Sequence, residues 1–513
     1  MNYLKKYPEY LLLLLFSIIG VFTVNSYGYA WDERDQREIG ITCFNYIFNG
    51  DLSYRTLQAR DHGAIFELFL AIIEKTLGLT KEGDVIVMRH IFSHFIFLIS
   101  AFYFYKLILL RYENKKIAIL GFLLLVINPT IYGHSFFNSK DVPFLAILII
   151  CFYQFVIAFK NKKYYQFILL ALFSCILINI RIMGILFVSF VIFFLVFDLI
   201  VFYKEKGSLL KHLLLLILFS SATIFFTIAA WPLLWEKPLE NFLYAIENLS
   251  KYPFPGKVLF NGELISAQKL SWNYVPTWFL INTPIVYLFL GFSGLFLFIY
   301  HLFKNLKTFD FKGLDKNNLL YIFSFLIPVF VVIYLKSVLY DSWRHLFYIY
   351  PAFILLAIYF INYCTKTKFK SAVSVFTGIS IAVSIIFMVI YFPFHHVYFN
   401  AFVSLHEKEY IRKNYDLDYW GVSYNKSLEY ILKIDKRDTI YICAPNPPCE
   451  VNIMMLHEKD QKRFVFRDYF NKPDYYITNY REHPEDYNPD ELEEIKSFSV
   501  LNNKINTIFK YKK

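Results

Sequence analysis

The sequence predicts an all-α, polytopic membrane protein with about eleven transmembrane helices and a small α/β domain at its C-terminal end. Three observations carry that reading. Hydrophobic residues make up 57% of the 513 and charged residues only 18%, too apolar for a soluble enzyme of this size and too aromatic for a disordered chain. Long apolar runs recur along the first 392 residues, many approaching the roughly 20 residues that cross a hydrocarbon core. Lipid offers no partner for a backbone polar group, so such runs must be helices. From residue 393 onward the runs give way to mixed polar sequence.

In chain order the spans fall near residues 10–27, 91–109, 117–133, 142–159, 164–180, 183–202, 213–231, 276–300, 319–335, 346–363 and 371–392. Lys5 and Lys6 before the first run imitate a signal peptide, but Tyr27-Gly28-Tyr29-Ala30-Trp31 supplies no small-x-small cleavage site. Its aromatics suit an interfacial belt, and the run reads as a retained span.

The net charge of +11 reflects topology and calls for no nucleic-acid partner. Alternate loops carry Lys106/Arg111/Lys115/Lys116, Lys160/Lys162/Lys163, Lys204/Lys206/Lys211, Lys304/Lys307/Lys312/Lys316 and Lys366/Lys368/Lys370, whereas the short loops of the opposite set hold only Lys140, Arg181, Lys336 and Arg344. The positive-inside rule therefore predicts a cytoplasmic N-terminus and an external C-terminus, in a cell membrane such as a bacterial inner membrane. The predicted outer face gathers a loop over about residues 28–90, a second over 231–275 and the tail, so function is expected there. The predicted division is a membrane domain over 1–392 and an extracytoplasmic α/β domain over 393–513. Within the tail, 438–444 and 474–478 read as strands, 423–432 as a helix and 495–511 as a closing hairpin around Asn502-Asn503.

Five polar groups fall on the predicted outer face. Asp32, Glu33 and Asp35 stand where the first span leaves the bilayer, a placement that also suits acids at a helix start. Arg60-Asp61-His62-Gly63 precedes an apolar stretch, 64–73, that reads as an interfacial amphipathic helix. Asn138-Ser139-Lys140-Asp141-Val142-Pro143 joins the third and fourth spans and equally reads as a helix cap. Arg181 sits in a tight turn between apolar runs, where it either snorkels or meets an anion. Tyr340-Asp341-Ser342-Trp343-Arg344-His345 opens the tenth span, with Arg344 able to fork a phosphate. Together these acids and cations suit a site that binds an anionic lipid headgroup and activates a hydroxyl.

Other groups say less. No metal-ligand spacing emerges from the six cysteines. His90 and His94 are four apart but lack an intervening Glu; His395 and His396 read as interfacial. Cys443 and Cys449 are a candidate disulfide in an oxidising outer compartment.

On these residues the first 400 positions resemble the GT-C type of membrane glycosyltransferase, in its protein-mannosyltransferase and aminoarabinose-transferase branch. The carriers are the acidic pair Asp32-Glu33, the Asp61-His62-Gly63 segment resembling the family's Asp-x-His-Pro-Pro stretch, and Asp141 ahead of Pro143. Tyr340 to His345 and Asp418-Tyr419-Trp420-Gly421-Val422-Ser423 also look like stretches of bacterial members. Here Asp61 and His62 are adjacent and the prolines are replaced by Gly63-Ala64, which puts the role of His62 in question. The resemblance implies a GT-C fold and inverting transfer of a hexose or pentose from a polyprenyl-phosphate sugar to a hydroxyl of a glycan, lipid or protein, run among membrane lipids at the outer surface.

That chemistry asks for a base and for cations. Asp32 is the first candidate base, with Glu33 next and Asp141 orienting the base or the acceptor. Arg344, Lys140, Arg181 and His62 are the candidate partners of the departing phosphate, with Asp61, Asp341 and His345 in support. No cofactor is specified, and the need for a divalent metal is left open. The rivals are a transporter or a lipid or glycan flippase, which requires ionisable residues near mid-span, and a glycan ligase or polymerase with the same topology.

Overall fold

The computed structural model describes residues 7–202, 206–250, 254–307 and 314–512; two basic loop residues of the topology argument, Lys204 and Lys312, lie outside them. Eight helices among the described residues are long and apolar enough to cross a membrane: Pro8–Ser26, Glu82–Tyr112, Asp141–Asn161, Gly184–Val201, Leu209–Ala230, Ile285–Lys304, Lys316–Tyr334 and Lys370–Tyr391. Two shorter apolar helices, Tyr164–Ile180 and Ile349–Cys364, pack among them. Exposed apolar side chains such as Phe22, Ile224, Phe225, Phe296 and Val389 face outward from these helices, as lipid-facing residues do. The chain is a multi-pass membrane protein.

Two predicted spans are broken, and proline chemistry explains both. The run 117–133 divides into Lys115–Val126 and Pro129–Phe137, bent by 64°. Asn128 before Pro129 is forced out of the helical region, at φ −75° and ψ 115°, and its side chain caps the second helix by accepting from Ile131 N at 3.1 Å. The run 276–300 divides at Thr283-Pro284 into Tyr274–Asn282 and Ile285–Lys307. Asn400 of the tail closes that gap, donating to the carbonyls of Leu280 (2.7 Å) and Thr283 (2.9 Å).

The loop after the opening helix is more ordered than its polar sequence suggests. Helices Glu33–Asn49 and Ile65–Leu77 lie side by side there, in contact close enough that a Cβ on Gly40 would sit 2.4 Å from the Glu67 carbonyl oxygen. The segment 231–275 contains a helix, Pro238–Ser250, and a short hairpin of β1 (Lys257–Phe260) and β2 (Glu263–Ser266); no local pattern had marked that hairpin.

The tail forms a five-stranded sheet of β3 (Ile440–Cys443), β4 (Phe464–Phe466), β5 (Tyr475–Thr478), β6 (Leu492–Val500) and β7 (Asn503–Tyr511), in the order β4-β3-β5-β7-β6. β3 runs parallel to β4 and β5, while β7 is antiparallel to β5 and β6. The amphipathic helix Tyr424–Ile434 covers it, burying Tyr424, Leu428 and Ile431 against Ile440, Ile442, Ile477 and Ile508. Cys443 and Cys449 are free thiols.

Candidate active site

Three segments distant in sequence meet where the tail sheet rests on the bundle. The first is the link after the opening helix. Gly28 passes so close to the tail that a Cβ would lie 2.2 Å from the Val422 carbonyl oxygen, and Asn452 bonds both the N–H and the carbonyl of Tyr29 at 2.9 Å. Trp31 N donates to Trp420 O at 3.0 Å. This clamp places Asp32 at the cap position of Glu33–Asn49, yet its carboxylate makes no cap bond.

The second segment is the turn before Asp141–Asn161. Asn138 Oδ1 accepts from the N–H of Asp141 (2.9 Å) and of Lys140 (3.3 Å), while its Nδ2 donates to Asp141 Oδ2 at 2.9 Å. Arg181 pairs with the other carboxylate oxygen, and Arg344 Nη1 reaches Oδ2 at 3.3 Å. Asp141 is therefore buried and fully engaged.

The third segment is 340–345, in which Asp341 and Ser342 both take left-handed backbone, φ 57° and 63°, an arrangement that for non-glycine residues costs on the order of 1–3 kcal/mol each. Asp341 bridges two guanidinia, Arg344 Nη2 and Arg481 Nη2, at 3.1 Å each. Ser342 Oγ lies 3.2 Å from Tyr419 OH, which in turn meets His134 Nε2 at 3.1 Å. Arg344 is sandwiched between Tyr340 and Trp420, its Cζ 4.9 and 4.8 Å from the two ring centres, and its Nη2 stands 3.6 Å from Asp32 Oδ2.

Two charged groups in this cluster are less engaged than the rest. Asp32 is recessed among charged neighbours but keeps an open face. Burial pushes its carboxyl above the usual range; Arg344 and Lys140 oppose that shift, while Asp341 and Asp141 add to it. Lys140 makes no ion pair among the described residues. Burial pulls its ammonium down to about 7, Arg181 adding to the effect and Asp141 and Asp32 opposing it. His345 is held neutral by burial and then by Arg344 and Arg181, and its Nδ1 is buried with no hydrogen-bond partner.

A narrow apolar groove begins one helical turn away from the ion cluster. Phe144 is one turn past Asp141, Leu177 one turn before Arg181 and Tyr348 four residues past Arg344; with Leu148, Gly184 and Phe187 they line it. Phe144 and Tyr348 meet edge to face at 4.9 Å between ring centres.

The structure thus gathers Asp32, Lys140, Asp141, Arg181, Asp341, Arg344 and His345. It does not gather Glu33, which turns away to bond His90 Nε2 at 3.0 Å and the Ala30 N–H at 2.9 Å. Asp61 is buried between His62 Nδ1 (3.1 Å) and the Asn248 amide. His62 is at the rim, pulled down to about 4 by burial and then by Lys140 and Arg181, against Asp61. One further expectation is corrected. His395 and His396 are buried, not interfacial: His395 bridges Tyr27 OH and Met388 O at 2.8 Å each, and His396 Nε2 meets Asp418 Oδ1 at 2.8 Å. Among the described residues no three His, Cys, Asp or Glu side chains converge as a metal would require.

Sequence reasoning missed Arg481, which reaches in from the tail to Asp341 and lies 5.4 Å from the ring centre of Trp31. It is one basic residue in a polar tail, with no local pattern around it. It also missed the buried contacts behind the site, the ion pair of Arg89 with Glu67 and the hydrogen bond of His90 with Glu33.

No protein-family model matches the chain, and no curated protein is similar to it in sequence. Among solved structures it is similar to the apo oligosaccharyltransferase of Archaeoglobus fulgidus, at 11% identity and a TM-score of 0.49, over 90% of this chain and 65% of that one. It is also similar to ArnT from Cupriavidus metallidurans, bound to undecaprenyl phosphate (9% identity, TM-score 0.47) and in the apo state (10%, 0.48), each over 97% of both chains. The chain spans just under two thirds of the length of the oligosaccharyltransferase and nearly all of ArnT. These likenesses concern the course of the chain; the roles of its residues rest on their own geometry.

Proposed function

We propose that the chain is an inverting glycosyltransferase that moves a sugar from a polyprenyl-phosphate donor to a hydroxyl of a glycan, lipid or protein at the outer membrane face. The observation that carries the reading is the approach of a partly exposed carboxylate, Asp32, and an ammonium, Lys140, that has no ion-pair partner among the described residues, one helical turn from an apolar groove. A lipid-phosphate sugar has the same division into apolar tail, anion and polar head.

In the proposed step the acceptor hydroxyl attacks the anomeric carbon while Asp32 takes its proton. The bond from that carbon to the phosphate oxygen breaks, and the polyprenyl phosphate leaves with the electron pair. A raised carboxyl pKa suits a base working near neutrality, and general base catalysis contributes about 10²- to 10⁴-fold. Lys140 stabilises the departing phosphate, with the guanidinia of Arg181 and Arg344 behind it adding positive potential. Asp141 and Asp341 act through these guanidinia: both carboxylates are taken up by arginines, and neither is free to accept the proton. Glu33 and Asp61 support the surrounding backbone, and His345 holds a buried, unpartnered Nδ1 behind the phosphate or the sugar.

The test is transfer from a radiolabelled polyprenyl-phosphate monosaccharide to lipid or envelope extract, with the product identified by mass. Asp32→Asn is expected to lose transfer while melting at the same temperature in detergent. Wild-type activity in that variant would remove Asp32 from the mechanism; transfer only from a preassembled lipid-linked glycan would make the protein a ligase.

A further inference from the structure

Two consecutive residues of one helix reach both halves of the candidate site. Arg89 and His90 lie on Glu82–Tyr112, each at most 1% exposed, and successive residues on a helix point about 100° apart. Arg89 Nη2 pairs with Glu67 Oε2, and Glu67 Oε1 accepts a 2.5 Å hydrogen bond from Ser139 Oγ. Ser139 belongs to the turn whose backbone sets Lys140 and Asp141. His90 Nε2 bonds the Glu33 carboxylate, which also draws in the Ala30 N–H and so fixes the link on which Asp32 sits. All four side chains are buried and none of them touches the ion cluster directly.

We propose that Arg89 and His90 are positioning residues which, from one rigid helix, set the separation between Asp32 and the Asn138–Asp141 turn. The inference rests on the roles given above to Asp32 and Lys140. Its physical content is the registry of two arms. A single helix cannot move one arm without the other, so base and cation keep their distance although they come from segments more than a hundred residues apart in sequence. A burial role alone would be met by apolar side chains of similar volume, since a buried ion pair is by itself weak support for stability.

The test uses the full chain in detergent. In Ser139→Ala and Glu67→Gln, the pH midpoint for acylation of Lys140 by an amine-reactive ester, followed by peptide mass spectrometry, is expected to move up from about 7 as the turn relaxes toward solvent. Donor KM rises tenfold or more in the same variants, with a smaller change in kcat. In His90→Leu, kcat falls at least tenfold at unchanged donor KM, and His90→Gln, whose amide still donates to Glu33, recovers most of it. Unchanged Lys140 midpoints in both turn variants would overturn the first arm. A His90→Leu loss that His90→Gln does not reverse would overturn the second. Acylation requires no turnover, so it reads the positioning even where the proposed reaction fails, and that failure shows separately as an active Asp32→Asn.

Discussion

Asp141 and Asp198 are both buried carboxylates surrounded by cations, and they serve opposite ends of the bundle. Arg181, which pairs with Asp141, immediately precedes helix Gly184–Val201, and Asp198 lies in its last turn. Eighteen residues separate the two ends by about 27 Å. Asp198 pairs with Lys316, with Lys162 and His212 each 3.8 Å away and 2.8 Å from one another. Every charged group named there has another as its neighbour. At the other end Lys140 has no ion-pair partner among the described residues and Asp32 keeps an exposed face, one helical turn from an apolar groove. The lesson is that a buried ion cluster marks a site only where some of its charge is left over.

The largest effect that breaks or confirms this contrast is at Asp32. Asp32→Asn is expected to reduce transfer by about 10²- to 10⁴-fold, measured with the radiolabelled donor, whereas Asp198→Asn leaves kcat/KM unchanged. An equal loss from both would erase the distinction between the two ends.

Next is the cation. Lys140→Ala is expected to raise donor KM by roughly ten- to a hundredfold, about 1.4 to 2.7 kcal/mol of phosphate binding, with Lys140→Arg recovering part of it. The pH dependence follows from the same group. Its charged form is the one that binds phosphate, so kcat/KM falls as pH rises through about 7, while the acid limb falls as Asp32 gains its proton. Replacing Lys140 by Arg removes the alkaline limb, as a pH series on the variant would show.

Arginine 344 tests structure more than chemistry. Arg344→Ala strips a buried partner from Asp141 and Asp341, and an uncompensated buried charge costs about 3 to 5 kcal/mol. Thermal melting in detergent should register that loss before any kinetic assay does. The smallest effect is at Asp198: Asp198→Asn lowers the melting temperature and leaves donor KM and the pH profile where they were.

Much of the fold was legible because lipid imposes a one-dimensional rule. Each predicted span has an apolar helix at its place, and the breaks at Asn128 and Thr283 sit before prolines already visible in the sequence. The tail was legible in part. The strands near Ile440 and Tyr475, the helix near Tyr424 and the closing hairpin were readable from local alternation, but β4 is only three residues long and carried no pattern of its own.

The site divides along the same line. Composition and local motif placed Asp32, Lys140, Asp141, Arg181, Asp341, Arg344 and His345 in candidate groups, because ionisable residues stand out against apolar runs. Sequence could not say that Glu33 turns inward to His90 while its neighbour Asp32 stays open, since adjacent residues on a helix face different surroundings. Nor could it bring Arg481 to Asp341 across 140 positions, or join Arg89 through Glu67 to Ser139. The sequence by itself determined which segments are long apolar helices and which residues carry charge. Only the tertiary structure decided which charges neutralise one another and which are left free for a ligand, because pairing depends on distances of a few ångströms between segments that local pattern does not connect.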